Sequence, residues 1–183
     1  MADYEVIAEE TLTSTATRIN LTSIPATFTH LELFINARST KAGATTDGGD
    51  LRVNGIAGGT SYGQIGTYVI NSTGATVYNL AGANGSYTRS QIDNPFRILN
   101  DGMPANTYGT CKIVMPNYAD TTITSKGFLI QNSAASSNTS DFWKLSSYGF
   151  VVSSAAINRL EMFSESASNP FKAGTSYLLA GWK

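Results

Sequence analysis

The sequence predicts an all-β fold in which two antiparallel sheets pack as a jelly-roll-like sandwich. Three observations predict it. Apolar and polar residues alternate with period two in many short runs, so that one side of each run is dry and the other wet. Clusters of Gly, Asn, Asp and Ser separate the runs at short intervals. No window of helical length carries a capped i, i+3, i+4, i+7 apolar pattern. Many short strands with regular turn signals suit a two-sheet sandwich. At 183 residues, with no shift in composition to mark a boundary, the chain reads as one β-sandwich domain over residues 1–183.

The elements follow in order. Tyr4, Val6 and Ala8 alternate with Asp3, Glu5 and Glu9, predicting a first strand with one wet side. Leu31, Leu33 and Ile35 share a face opposite Glu32 and Asn36. Cys111, Ile113 and Met115 alternate with Lys112 and Val114, and Pro116 ends that strand by removing a ladder donor. Further strands are expected at Thr67–Ile70, Phe96–Leu99, Phe128–Gln131, Phe150–Ser153, Leu160–Phe163 and Tyr177–Trp182. Turns are expected at Asp47-Gly48-Gly49-Asp50, Asn84-Gly85, Asn100-Asp101-Gly102 and Ser136-Ser137-Asn138. Two Asn-Pro-Phe tripeptides, Asn94–Phe96 and Asn169–Phe171, each read as a turn feeding a strand. Ser154–Glu161 is the nearest helix candidate, weighed against a bend leading into a strand.

Composition narrows the function. Charged residues are 14% of the chain and the formal net charge is −1, so polarity rests on Ser, Thr and Asn, about 30% of the residues. Twelve cations scattered without a cluster, and a pI near 5.8, offer no electrostatic footprint for nucleic acid. No apolar stretch approaches a transmembrane span, and the start has neither a basic nor an apolar leader region. A single cysteine, Cys111, excludes a disulfide framework and is expected to pack as a small hydrophobe. The lone His30 leaves little room for histidine-dependent catalysis and reads as a surface or interface residue.

Motifs that could carry chemistry are few. Gly59-Thr60-Ser61-Tyr62-Gly63 matches the nucleophile-elbow pattern. That elbow needs a following helix and a later histidine, and this sequence offers neither. A turn between strands is the better reading. Asp47, Asp50 and Asn54 could offer oxygen ligands to Ca²⁺, yet their spacing fits no calcium loop. No pair of carboxylates can be singled out as a glycosidase acid and base. No catalytic residue, cofactor or metal site is therefore assigned. Aromatics flanked by hydroxyl residues remain: Tyr62, Tyr118, Trp143 and Trp182 are the candidate interface or glycan contacts.

Four blocks resemble a family of virion structural proteins of tailed bacteriophages. The first is Ser23-Ile24-Pro25-Ala26-Thr27-Phe28-Thr29-His30-Leu31-Glu32-Leu33, continuing to Ala37-Arg38-Ser39; the second is Leu51-Arg52-Val53-Asn54-Gly55, followed by Ser61-Tyr62. The third is Ile113-Val114-Met115-Pro116-Asn117-Tyr118, with Lys126 after it. The fourth runs Ala155-Ala156-Ile157-Asn158-Arg159-Leu160 to Phe171, then Gly174-Thr175-Ser176 and Leu179-Ala180-Gly181. The chain departs from the family at Ile56, where an acidic residue is common, at Phe150, where Trp is common, and at its C-terminal residues.

The resemblance implies a lectin-like or jelly-roll sandwich in a phage particle, assembled in the host cytoplasm, without an enzymatic centre. Alternation beginning by Tyr4 leaves no room for the anchor of a tail fibre. The expectation is therefore a capsid decoration, or cement, protein that contacts the major capsid protein. A homotrimer is implied by family habit. The alternative is a tail-fibre or receptor-binding domain that recognises host glycans.

Overall fold

The computed structural model describes residues 4–43, 46–57, 61–71, 75–79, 91–135, 142–164 and 168–183. In chain order its strands are β1 (Tyr4–Thr11), β2 (Arg18–Leu21), β3 (His30–Ala37), β4 (Thr46–Val53), β5 (Tyr62–Asn71) and β6 (Ala75–Asn79). They continue with β7 (Ile92–Leu99), β8 (Gly109–Pro116), β9 (Ser125–Ala135), β10 (Phe142–Val152), β11 (Leu160–Ser164) and β12 (Ser176–Trp182). The fold is all-β, and no helix occurs among the described residues. An eight-stranded sheet has the order β1-β12-β3-β8-β9-β10-β5-β6, and a four-stranded sheet has β2-β11-β4-β7. The chain passes repeatedly from one sheet to the other, which closes the two layers over a shared core. The described ladders between named strands are antiparallel.

Alternation places the core. Leu31, Leu33 and Ile35 of β3, Ile113 and Met115 of β8, and Phe128 and Ile130 of β9 are buried from the larger sheet. Ile19, Leu21, Leu51, Val53, Leu160 and Met162 meet them from the smaller one. Cys111 is fully buried among them, with its thiol directed to the Pro95 carbonyl at 3.5 Å.

Several expectations need correction. Asp47-Gly48-Gly49-Asp50 is not a turn but the middle of β4. Its glycines suit close packing: a Cβ on Gly49 would lie 1.9 Å from the Phe96 ring, so only glycine admits that ring. Both aspartates are buried and held in place, Asp47 by Lys41 at 3.0 Å and Asp50 by the Gln91 amide at 2.9 Å. Asn94-Pro95-Phe96 likewise lies within β7, the edge strand beside β4. There the ladder jumps from Gly49–Phe96 to Leu51–Ile92. An irregular edge is where a proline, which has no N–H to donate, can be accommodated. The second tripeptide does form a turn, and Phe171 then stacks on Phe96 with ring centroids 6.4 Å apart.

The first strand is not dry on one side. It is the edge of the larger sheet, with a bulge between Val6 and Ala8, and only Ile7 and Ala8 are partly buried. The stretch before β11 is the bend leading into a strand, as favoured over the helix candidate at Ser154–Glu161. The expected turns at Asn84-Gly85 and Ser136-Ser137-Asn138 lie outside the described residues.

Candidate functional site: the outer face of the larger sheet

The residues singled out from sequence divide sharply. Tyr62 and Tyr118 are fully buried, which corrects their assignment as contact residues. Each ring sits in the core because its hydroxyl is satisfied by nearby backbone. The Tyr62 hydroxyl accepts from Val53 N at 2.9 Å and lies 3.1 Å from Ile56 O. The Tyr118 hydroxyl donates to Pro25 O and accepts from Phe28 N. Burial pushes both phenols above their ordinary pKa, with Glu161 adding to the rise at Tyr62. Trp143 contributes its backbone to β10, between Ala134 and Ile70; its side chain lies outside the described residues. Trp182 is the one placed at a surface, with its ring over His30 at a centroid distance of 4.2 Å.

Neither the serine elbow nor the calcium reading is assembled. Gly59 and Thr60 lie outside the described residues, and Ser61 leads directly into β5. His30 lies on β3, four strand spacings from β5 in the sheet, a separation of roughly 19 Å. Asn54, at φ 51°, instead fastens loops. Its Oδ1 accepts from Asn158 N and Arg159 N, and its Nδ2 donates to Ala156 O. No group of three or more metal-ligating side chains occurs among the described residues. The third buried carboxylate, Glu161, is held by Arg18 at 2.6 Å and Arg159 at 2.9 Å.

What the register assembles is the outer face of the eight-stranded sheet. One row crosses it through Val6, Glu32, Val114, Leu129, Tyr148 and Ile65, with Ala180 between the first two. Leu129, Tyr148 and Ile65 are 53%, 44% and 60% exposed, unusual for a contiguous apolar run. Tyr148 lies flat across Gly127 of the neighbouring strand, where a Cβ would be 2.2 Å from its hydroxyl. A flanking row carries Tyr4, Trp182, His30 and Pro116. Apart from Glu32 and His30, this half of the face is apolar and aromatic.

The other half is polar. The next row holds Leu178, Phe34, Lys112, Gln131, Ser146 and Thr67, and the one beyond it Ser176, Asn36, Thr110, Ser133 and Lys144. Lys112 pairs with Glu32 at 2.7 Å and lies 5.2 Å from the centre of the Phe34 ring. Thr110 donates to Asn36 at 2.9 Å. A hollow of about 780 Å³ opens over these rows, walled by Phe34 and Tyr108 and bordered by Lys144. No local motif announces it, because its lining is spread over the consecutive strands β8, β9 and β10 and is completed by Phe34 from the distant β3.

Comparison with protein families and with curated proteins finds no match. Solved structures give distant likenesses. A CBM40 domain of the Ruminococcus gnavus IT-sialidase, bound to alpha2,6 sialyllactose, has 12% identity and a TM-score of 0.25, covering 86% of this chain and 92% of its own. The Chlorella virus alginate lyase vAL-1 has 9% identity and a TM-score of 0.28, covering 93% and 84%. The exoplasmic/lumenal domain of VIP36, in a Ca²⁺/Man3GlcNAc-bound form, has 7% identity and a TM-score of 0.27, covering 97% and 84%.

Proposed function

We propose that this chain is a structural protein of a bacteriophage particle, a capsid decoration or cement protein that acts by surface docking and not by catalysis. One observation carries the reading. The large apolar side chains strongly exposed among the described residues (Tyr4, Val6, Ile65, Leu129, Tyr148 and Val152) all belong to the larger sheet, and its strand register directs them to the same outer face. A broad, shallow apolar face suits dry contact with a neighbouring protein surface, here the major capsid protein. Low charge and abundant hydroxyls would keep the remaining surface soluble. Trimer formation belongs to the same proposal.

Imaging purified particles tests it, together with incorporation of a Leu129→Asp, Tyr148→Ser variant. The expected result is density on the shell at a stoichiometry comparable to the capsid protein. The variant should fold normally yet be missing from particles. Density confined to the tail, or normal incorporation of the variant, overturns the proposal.

The polar hollow favours a second reading, recognition of a host-surface glycan. Its residues are Phe34, Tyr108, Lys112, Gln131 and Lys144, not the buried tyrosines suggested by the sequence.

A further inference from the structure

We propose that the hollow takes a carboxylated saccharide, a uronate- or sialate-type unit, with Lys144 receiving the carboxylate. This rests on the glycan reading of the hollow and is independent of the docking half of the face.

Charge is the first argument. Two ammonium groups line the hollow, and Glu32, the carboxylate on the adjoining row, is already taken by Lys112 at 2.7 Å. Lys144 makes no ion pair among the described residues, so among them its positive charge faces the hollow without a carboxylate partner. A single free ammonium on a flexible stem matches one carboxylate. It does not match a nucleic-acid backbone, which needs several cations in line.

Hydrogen-bonding chemistry is the second. Between β8, which carries Lys112, and β10, which carries Lys144, runs β9 with Gln131 and Ser133. The two lysine strands are two spacings apart, roughly 10 Å across the sheet. That span is floored by an amide and hydroxyls, which both donate and accept, as neighbouring sugar hydroxyls require. An apolar ligand would leave these groups unpaired, at a cost in affinity.

The walls are the third. Phe34 and Tyr108 bound the hollow with ring surfaces suited to the C–H faces of a pyranose. The Phe34 ring is held in place by the Lys112 ammonium, and Tyr108 lies over Gly174, where a Cβ would be 2.2 Å from its hydroxyl. These are fixed platforms, so little ordering is needed on binding.

The test titrates the whole chain by calorimetry with trigalacturonate and with a methyl sialoside, each beside its neutral methyl ester. At least one acid should bind, and its ester should bind about tenfold more weakly, the scale of one charge-assisted hydrogen bond. Lys144→Gln should lose the same factor for the acid and nothing for the ester. Its thermal midpoint should match that of the wild type, because the side chain is exposed. Equal binding of acid and ester, or an unaltered Lys144→Gln titration, overturns the inference while leaving a neutral-glycan site standing. No binding of either acid overturns the inference; if a panel of neutral oligosaccharides also fails to bind, the glycan reading falls with it.

Discussion

Replacing Arg38 by leucine should unfold the loop beside the core before anything else. Arg38 follows β3 and is 5% exposed. Its guanidinium donates to Pro104 O at 2.7 Å, Asp101 O at 2.8 Å and Met103 O at 2.6 Å, and Asp101 carboxylate lies 3.6 Å away. One cation thus gathers three carbonyls, those of residues 101, 103 and 104, and shapes that turn. Leucine fills part of the space and donates nothing. The carbonyls of Asp101 and Pro104, on exposed residues, can turn to water, whereas that of buried Met103 cannot. An unsatisfied buried acceptor costs about 1–3 kcal/mol, and the lost charge-assisted bonds add to it. Relief of the guanidinium desolvation offsets part of the loss. The net expectation is a destabilisation of about 2–4 kcal/mol, a fall in Tm of roughly 5–15 °C for a chain of this size. Calorimetry measures the first quantity. Hydrogen exchange locates it, since the amides of Asp101 and Gly102 bond to Lys41 O and Gly43 O across the same turn and should lose protection. Arg38→Lys keeps the charge but not the fork, and should show more than half of the destabilisation of Arg38→Leu. Asp101→Asn removes only an exposed partner and should change little. If Arg38→Leu stayed within 1 kcal/mol of wild type, or cost no more than Asp101→Asn, the claim that this arginine organises the loop would be wrong.

Two further outcomes follow from the core. Gly49→Ala must displace the Phe96 ring from a Cβ 1.9 Å away, and with it the stack on Phe171. The urea midpoint should fall by the equivalent of about 1–3 kcal/mol with an unchanged slope; an unchanged midpoint would mean that the ring has room to move. Cys111 is wholly buried, and desolvation pushes its thiol pKa up. A thiol reagent should therefore react only as the protein opens, accelerating with denaturant, and rapid labelling in native buffer would contradict the packing described.

The strands with strict alternation were legible in the sequence. β3, β8 and β9 each bury every second residue, as Leu31–Leu33–Ile35 and Cys111–Ile113–Met115 announce. β4 was not, because Asp-Gly-Gly-Asp has the composition of a turn and only the Phe96 ring explains its glycines. Tyr62 and Tyr118 misled for a related reason. Hydroxyl-rich neighbours suggest a surface, yet a tyrosine whose phenol reaches local backbone can be buried at little cost. The hollow was illegible for a different reason. Phe34, Lys112, Gln131 and Lys144 become neighbours only through the registers of β3–β8, β8–β9 and β9–β10. Alternation says that each faces outward; pairing alone says that they face outward together.

The blocks that carry the family resemblance and the face that carries the proposed function answer to different demands. Arg38, Asn54, Tyr62 and Tyr118 each bond to backbone. Asn54 ties the second block to the fourth, and Tyr118 ties the third to the first. Side chains that fasten backbone to backbone fix loops and layer spacing whatever the protein touches. Leu129, Tyr148, Ile65, Gln131 and Lys144 lie outside those blocks and bond to little else in the fold. Substitution there changes what is recognised without loosening the sandwich. Variants at these outer-face positions should therefore alter partner choice at constant stability, whereas variants at Asn54 or Tyr118 should do the reverse.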